Sequence, residues 1–299
     1  MNESFELDKG SNDRLDLTVI IPAYRAESTI AKSIFSAAEA RPYEVIVVDD
    51  GSDDCTSKVA EASGARCIRQ ENQGAYIARR LGASRAKTKY LLFLDADDQI
   101  IPSAVRRSVE ILNEDDDLVV SAGTVIGTGV GTADKNFPIR YSPVTVQSLL
   151  VEGYGPWPPC AAVVRRTAYE AAESMSPSVL DTKYADDYQL LIRLSLTGRI
   201  SVRDEPTCRY TLSGGKSSKN AESALEAKEK IRAYYAKNLG IEIEEMTARD
   251  LSRAADVRLA RSLWASGKRI SATGHILKWA SKDPRAAVAK LSSSPWQRN

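Results

Sequence analysis

Short apolar runs alternate with amphipathic stretches through the first part of the chain. Each run holds four or five mostly aliphatic residues and ends at proline, glycine or a polar residue, which is typical of a buried strand. The stretches between the runs place apolar residues three or four positions apart, as amphipathic helices do. We predict strands at 17–21, 44–48, 65–68, 90–94 and 118–121. We predict helices at 28–40, 54–63, 73–86 and 103–113.

This alternation predicts an α/β fold with a mostly parallel, Rossmann-like sheet and helices on both of its faces. Connections between neighbouring parallel strands are then right-handed crossovers. The glycine-rich segment 123–131 lacks the Lys-Ser/Thr pair of a phosphate-binding Walker loop, so we interpret it as a turn between two edge strands. Residues 132–160 are irregular and contain several prolines, and we predict a strand at 161–164 and a helix at 186–197 after them.

A polar, glycine-containing loop at 213–219 is typical of a boundary between domains. The sequence therefore predicts three parts, which are a polar tail at 1–16, an α/β domain at 17–215 and a basic helical region at 220–299. Within the last part, the periodicity predicts helices at 221–238, 247–266 and 272–291, and no strands.

Composition points to a water-soluble protein of a reducing compartment. Of the 299 residues, 43% are hydrophobic and 27% are charged, which is ordinary for a globular chain. The four cysteines form no CxxC pair, which argues against a zinc site or a disulfide framework. The polar start does not resemble a signal peptide, and no apolar stretch approaches the roughly 18 residues of a membrane span. We expect a cytoplasmic protein.

The formal net charge is +1, but the charges are unevenly placed, because ten basic and only two acidic residues lie between Arg253 and the end of the chain. Two accounts of this basic region stay open. In one, amphipathic helices lie as a peripheral anchor on the anionic inner face of a membrane. In the other, the helices pack on each other and on the α/β domain. Nucleic acid is not an expected partner, because no recognition motif accompanies the charge.

Three acidic residues, Asp95, Asp97 and Asp98, directly follow the apolar run 90–94. Carboxylates crowded at the end of a buried strand are costly unless a positive group neutralises them, and hard divalent cations prefer such oxygen ligands. The carboxyl end of a sheet strand is also where open α/β sheets bind ligands. The alternative is a capping cluster for the helix that begins near Pro102.

A second acidic strand end, Asp49 and Asp50, is followed by Gly51 and Ser52. The two acidic ends meet the same edge of a parallel sheet, where a carboxylate can accept a hydrogen bond from a nucleobase N–H. The alternative is an Asp-Gly turn without any ligand. The dinucleotide fingerprint G-x-G-x-x-G is missing after the first strand, which argues against an NAD-dependent dehydrogenase.

Three segments carry a resemblance to a known family. The runs VIIPAYRAESTIAKSI at 19–34, VIVVDDGSDD at 45–54 and ENQGAYIARRLGASRAKTKYLLFLDADD at 71–98 resemble the nucleotide-sugar domain of the family 2 glycosyltransferases. With a fourth, Asp-Asp motif at 186–187, the ordered set covers roughly residues 17–215. The resemblance implies the GT-A fold and inverting transfer.

The resemblance also implies a role for residues at the strand ends. Asp50 matches the aspartate that pairs with uracil, and Arg79 matches an arginine near the base. Asp97 matches the direct metal ligand and Asp95 a carboxylate near both the ribose and the metal, with Mn²⁺ or Mg²⁺ as the ion and a UDP-sugar as donor substrate. The residues implied to bind the nucleotide-sugar are Pro22, Ala23, Tyr24, Asp50, Arg79, Asp95 and Ala96.

The catalytic pair implied by the resemblance is Asp186 and Asp187. Asp187 matches the general base, and Asp186 stands where glutamate is usual. A carboxylate base is what an inverting transfer requires, because the acceptor hydroxyl must lose its proton as it attacks. The alternative from the residues alone is that both acids simply begin a helix. The adjacent carboxylate raises the pKa of Asp187 and a helix N-terminus lowers it, so the net direction stays open here.

Two positions depart from the family pattern. Arg80 replaces the usual asparagine, and 209–212 stands where many relatives carry a histidine of the metal site. The only histidine, His275, lies far downstream, and we interpret it as a surface or helix-packing residue. A bound metal would then depend on Asp97, the donor's phosphates and water.

The resemblance implies a metal-dependent hexosyltransferase that moves a sugar to an acceptor hydroxyl of a polysaccharide, glycolipid or other glycan. The alternatives are a nucleotide-sugar-binding module that has lost catalysis and a nucleotidyltransferase of related fold. Trp157 is expected either to line the acceptor pocket or to pack on the core. Lys216 and Lys219 are either a lid over the diphosphate or solvated linker charges.

Overall fold

A computed structural model of the chain describes residues 14–129, 133–212, 220–282 and 284. The described residues form a nine-stranded sheet with helices packed against it. The strands are β1 Leu15–Ala23, β2 Pro42–Asp49, β3 Arg66–Arg69, β4 Tyr90–Phe93, β5 Gln99–Ile100, β6 Leu118–Thr128, β7 Lys135–Phe137, β8 Ala162–Arg165 and β9 Arg199–Thr211. The helices are α1 Ile30–Glu39, α2 Thr56–Ala62, α3 Ala75–Arg85, α4 Pro102–Glu114, α5 Val146–Glu152, α6 Arg166–Ser174, α7 Asp186–Leu194, α8 Ala221–Leu239, α9 Ala248–Ala265 and α10 Arg269–Lys282.

The strand order is β3-β2-β1-β4-β8-β6-β9-β5, with β7 paired to β6. The first four strands in this order are parallel, as the sequence predicts. The other side is mixed, because β8 is antiparallel to both β4 and β6 whereas β9 is parallel to β6. The α/β class is confirmed, and the antiparallel strands β5 and β7 and the long β9 are elements that the apolar pattern did not predict.

The apolar runs form the core on both faces of the parallel strands. Val19 and Ile21 of β1 pack with Ile34 of α1, and all three are 1% exposed or less. Ile20, on the other face of β1, packs with Phe93 in a second cluster. Full burial of one such side chain contributes about 1.5–3 kcal/mol, so the runs determine which segments become strands.

The first strand is longer than predicted, because it continues through Pro22 to Ala23. Proline is expected to stop a strand since it has no N–H to donate. At Pro22, however, β1 is paired only with β2, because its pairing with β4 ends at Ile20. The missing N–H therefore costs no hydrogen bond on the unpaired side.

The glycine-rich segment is a strand and not a turn, so that prediction is wrong for its described part. Gly123 and Gly127 lie inside β6, which is paired with β7, β8 and β9. A Cβ on Gly123 would lie 2.3 Å from the main-chain oxygen of Glu205 in β9. These glycines permit a close approach between strands, and the end of the segment, 130–131, lies outside the described residues.

The C-terminal helices pack on the α/β domain. Ile231 and Tyr235 of α8 join a buried cluster with Leu149 of α5 and Ile192 of α7. The remaining helices, α9 and α10, are joined by the carboxylate of Asp256, which contacts several basic groups of α10. This packing agrees with the second of the two accounts of the basic region.

His275 belongs to this helix pairing, because its Nδ1 lies 3.1 Å from Asp256 Oδ1. Across the described ranges, none of the helices is long and apolar enough to cross a membrane. The tail up to residue 13, the loop 213–219 with Lys216 and Lys219, and the end of the last predicted helix lie outside the described residues.

Candidate active site

Two acidic strand ends lie on the same edge of the sheet, as predicted. Asp50, directly after β2, is 3% exposed, and its carboxylate accepts hydrogen bonds of 2.8 Å from Gln70 Nε2 and from the main-chain N–H groups of Gln73 and Gly74. Three donors leave capacity for one more on a carboxylate with about four acceptor positions. Asp49 is fully buried and accepts from Ser52 N at 2.9 Å, which gives it a structural role.

The end of β1 lies beside this carboxylate. Pro22 and Ala23 are buried, and the Ala23 carbonyl accepts a hydrogen bond of 2.8 Å from Asp50 N. Tyr24 is half-buried, so it is the most solvent-accessible of these three residues. The structure thus places Pro22 and Ala23, two of the residues implied to bind the nucleotide-sugar, beside Asp50. Arg79, which the resemblance puts near the base, lies instead between Asp95 and Asp186.

The aspartates after β4 have different environments. Asp97 has an accessible side chain, yet desolvation by the surrounding protein, together with the charge of Asp95, raises its pKa. Asp98 is 1% exposed and accepts hydrogen bonds from Thr211 N at 2.8 Å and from the Cys160 thiol at 3.3 Å. Burial, then the charge of Asp95, raises the pKa of Asp98 to about 8. Asp98 therefore attaches β9 to the acidic turn, a role that the sequence did not predict.

Thr211 stands close to where the family pattern has its histidine. Its hydroxyl donates to the main-chain oxygen of Asp97 at 2.6 Å, so it holds the acidic turn in place. Among the described residues, no three His, Cys, Asp or Glu side chains are grouped so that they could hold a metal. Asp95 and Asp97 supply two hard oxygen ligands, which fit Mg²⁺ or Mn²⁺ when phosphate and water complete the shell. Ala96, between them, is half-buried against the main core.

Arg79 of α3 joins the acidic turn to the start of α7. Its Nη2 lies 2.7 Å from Asp95 Oδ1 and its Nη1 lies 2.5 Å from Asp186 Oδ2. Burial by itself lowers the pKa of Arg79, but the charges of Asp186 and Asp95 outweigh burial, so the pKa is raised. The sequence did not predict this bridge, because Asp95 and Asp186 are 91 positions apart in the chain.

Asp187 lies in the first turn of α7, which begins after Ala185 in the left-handed conformation, φ 65°. Its Oδ1 accepts a hydrogen bond of 2.8 Å from Tyr188 N. Burial in the surrounding protein raises the pKa of Asp187, and the negative charge of Asp186 raises it further. The positive charge of Arg79 opposes the shift. The direction that the sequence left open is therefore upward, toward the range in which a carboxylate is an effective base.

Asp187 lines a cavity of about 280 Å³. Tyr76, Trp157 and Tyr169 give this cavity aromatic walls. Trp157 also packs against the core, which confirms the second of the two expectations for it. Lys228 of α8 and Arg258 of α9 line the same cavity. Nothing in the sequence pattern distinguishes these two cations from solvated charges on a helix surface.

A comparison with known families identifies the family of the chain. The sequence profile described as Glycosyl transferase family 2 matches residues 18–171, about half of the chain. The chain belongs to glycosyl transferase family 2. An uncharacterized glycosyltransferase of Haemophilus influenzae is 27% identical to this family 2 chain over 253 residues, which cover 76% of each protein.

Other relatives match over a shorter part. YibD, an uncharacterized glycosyltransferase of Escherichia coli, is 33% identical over 113 residues, 35% of this chain and 33% of YibD. ExoO, a succinoglycan biosynthesis protein of Rhizobium meliloti, is 35% identical over 101 residues, 32% of this chain and 29% of ExoO. The match spans about a third of the length of these two proteins.

Solved structures with the same architecture are glycosyltransferases of the GT-A fold. TarS 1-349 of S. aureus, in complex with UDP-GlcNAc, superposes with a TM-score of 0.59 at 18% identity over 91% of this chain and 83% of TarS. The mannosyltransferase PcManGT of Pyrobaculum calidifontis, in complex with GDP-Man and Mn²⁺, gives a TM-score of 0.57 at 16% identity over 94% and 79% of the two chains. The GT-A fold expected for this family 2 chain is thereby confirmed.

Proposed function

We propose that this family 2 glycosyltransferase transfers a sugar from a UDP-sugar to an acceptor hydroxyl with inversion of the anomeric carbon. The observation that carries the proposal is the Arg79 bridge, which holds the acidic turn at Asp95 and the helix of Asp187 in one site. A donor held at the turn and a base on α7 are the two parts that a single displacement needs. Solved neighbours that contain UDP-GlcNAc or GDP-Man with Mn²⁺ support a nucleotide-sugar donor.

In the proposed reaction, Asp187 accepts the proton of the acceptor hydroxyl while the oxygen attacks the anomeric carbon. The bond between that carbon and the donor diphosphate breaks as the new glycosidic bond forms, and the diphosphate leaves with the electron pair. Burial, and then the adjacent carboxylate of Asp186, keep the pKa of the base raised, while Arg79, which is paired with Asp186, opposes that shift. Asp97 and Asp95 would hold a divalent ion, which supplies positive charge to the leaving diphosphate.

The acceptor is proposed to be a glycan, in line with the relative that is named for succinoglycan biosynthesis. One alternative from the sequence is a binding module that has lost catalysis. Such a module would need no base, whereas here Asp187 has a raised pKa and lines a cavity. A nucleotidyltransferase has no observation in its favour.

The donor site is tested by calorimetric titration of UDP and of GDP into the purified protein, first with Mn²⁺ and then with EDTA. We expect UDP to bind with Mn²⁺ and to lose most of its affinity in EDTA, because two carboxylates alone would repel the diphosphate. Metal-independent binding would contradict the role of Asp95 and Asp97. Binding of GDP in preference to UDP would contradict the donor assignment, and binding of neither would contradict the proposed function.

A further inference from the structure

The C-terminal helices contribute two cations to the cavity that contains Asp187. Lys228 lies one turn after Ala224 on the same face of α8, and both line the cavity together with Arg258 of α9. α8 is fixed in this position by Arg232, whose Nε donates to the Leu150 carbonyl at 2.5 Å. Lys228 is therefore held at the cavity by its own helix, and Arg258 reaches the same cavity from α9.

Lys228 is half-buried, and within the described part of the chain its ammonium group forms no ion pair. The neighbouring carboxylate, Glu229, is paired instead with Arg232 at 2.8 Å. Burial, then the charge of Arg258, lowers the pKa of Lys228 to about 8, although the charges of Glu229 and Asp187 oppose the shift. A half-buried ammonium beside a guanidinium is electrostatically costly, and an anionic ligand would remove that cost.

The cavity overlaps the residues predicted to bind the donor only at Arg79. Its walls include Arg79, Asp186 and Asp187 but none of the three strand-end aspartates assigned to the nucleotide and the metal. An anion bound beside Lys228 would therefore lie away from Asp50, Asp95 and Asp97, the residues predicted to hold the nucleotide and the metal. Its volume of about 280 Å³ is close to the small end of ligand pockets, and its aromatic walls suit the face of a sugar or a short polyol chain.

We infer that this cavity is the acceptor site and that the acceptor carries an anionic group, a phosphate or a carboxylate, which Lys228 and Arg258 bind. The inference rests on the proposed function, since it takes Asp187 as the base that faces the acceptor. Arginine pairs in a bidentate manner with either group, and lysine adds a point charge, so the two together select a charged acceptor over a neutral one.

Calorimetry on the full chain tests this with two anionic probes and their neutral counterparts, in the presence and in the absence of UDP and Mn²⁺. The probes are sn-glycerol 3-phosphate against glycerol, and glucuronate against glucose. We expect at least one anion to bind and its neutral counterpart to bind far more weakly. Which anion binds distinguishes a phosphate acceptor from a carboxylate acceptor.

Lys228→Gln should weaken binding of that anion about tenfold or more, the effect of losing one charge-assisted hydrogen bond, and leave UDP affinity unchanged. Lys228→Arg should retain most of the affinity. Lys230→Gln is the matched control, because Lys230 is an exposed residue of the same helix. Circular dichroism confirms that each variant is folded.

Three results with the anionic probes would overturn the inference. They are binding of neither anion to the folded wild type, equal binding of the neutral counterparts, and an anion affinity that Lys228→Gln leaves unchanged. Loss of UDP affinity in Lys228→Gln would also overturn it, since the cations would then serve the donor. Absence of UDP binding with anion binding intact would instead contradict the proposed donor, so the two failures are distinguishable.

Discussion

Strands β1 to β4 and the elements after residue 160 both bury apolar side chains, but the second region also contains the buried arginines Arg193 and Arg232. In the first region, aliphatic side chains such as Val19 and Val47 are fully buried on the faces of parallel strands. In the second, buried arginines donate to main-chain carbonyls of distant segments. Arg193 of α7 is 1% exposed and donates to the carbonyls of Ala172 and Met175 at 2.5 and 2.8 Å.

The two regions also carry different parts of the proposed chemistry. The first supplies the strand-end carboxylates Asp50, Asp95 and Asp97, and the second supplies Asp187 and the cations of the cavity. Arg79 connects them through Asp95 and Asp186. We therefore expect substitutions in the first region to change donor binding, and substitutions in the second to change turnover or the stability of the site.

The largest expected effect separates these two roles. Asp187→Asn should lower the rate of transfer about 10²- to 10⁴-fold, because the acceptor hydroxyl loses its base, and should leave UDP affinity close to that of the wild type. Asp97→Ala should instead weaken the metal-dependent binding of UDP, because it removes a predicted metal ligand. Steady-state transfer assays and calorimetry on both variants measure this.

The separation would be broken by either of two results. Full activity of Asp187→Asn would remove Asp187 as the base, and an unchanged titration of Asp97→Ala would remove Asp97 as a metal ligand. Asp187→Glu is a useful third variant, because it keeps the carboxylate and should recover part of the rate.

The next effect is on stability. Arg193→Met removes the donors to Ala172 and Met175 and the hydrogen bond of 2.9 Å to the Tyr235 hydroxyl. Buried acceptors left without partners cost about 1–3 kcal/mol each, so the free energy of unfolding in urea should fall by about 3 kcal/mol or more. Arg80→Met is the control, since the half-exposed ion pair of Arg80 with Glu173 is worth at most about 1 kcal/mol. Equal losses in the two variants would contradict the distinction.

The same distinction explains how much the sequence predicts. The strands of the first region follow from runs of aliphatic residues, and the acidic ends follow from charges placed directly after those runs. The roles of Arg193, Asp98 and Lys228 depend on which distant segments meet, and no local pattern contains that information. The family resemblance predicted Asp187 as the base, which stays a prediction, and the bridge from Arg79 to Asp186 is known only from the fold.

A smaller effect tests the failed turn prediction in β6. Gly123→Ala places a Cβ 2.3 Å from the Glu205 main-chain oxygen, and a backbone atom cannot move aside as a flexible side chain can. We expect the free energy of unfolding to fall by about 1–3 kcal/mol, the usual cost of overpacking. Urea denaturation measures it, and an unchanged midpoint would show that β6 and β9 are not in such close contact.

The smallest effect has the opposite sign and concerns a glycine where local rules decide. Gly274 is exposed in the middle of α10, and nothing lies within 4 Å of the position that a Cβ would take. Gly274→Ala should therefore raise the free energy of unfolding by about 0.5–1 kcal/mol, because alanine loses less backbone entropy in a helix. The same urea experiment compares it with Gly123→Ala. A loss of stability in Gly274→Ala would mean that another surface covers α10 at this point, and α10 would then belong with the segments whose structure depends on long-range contacts.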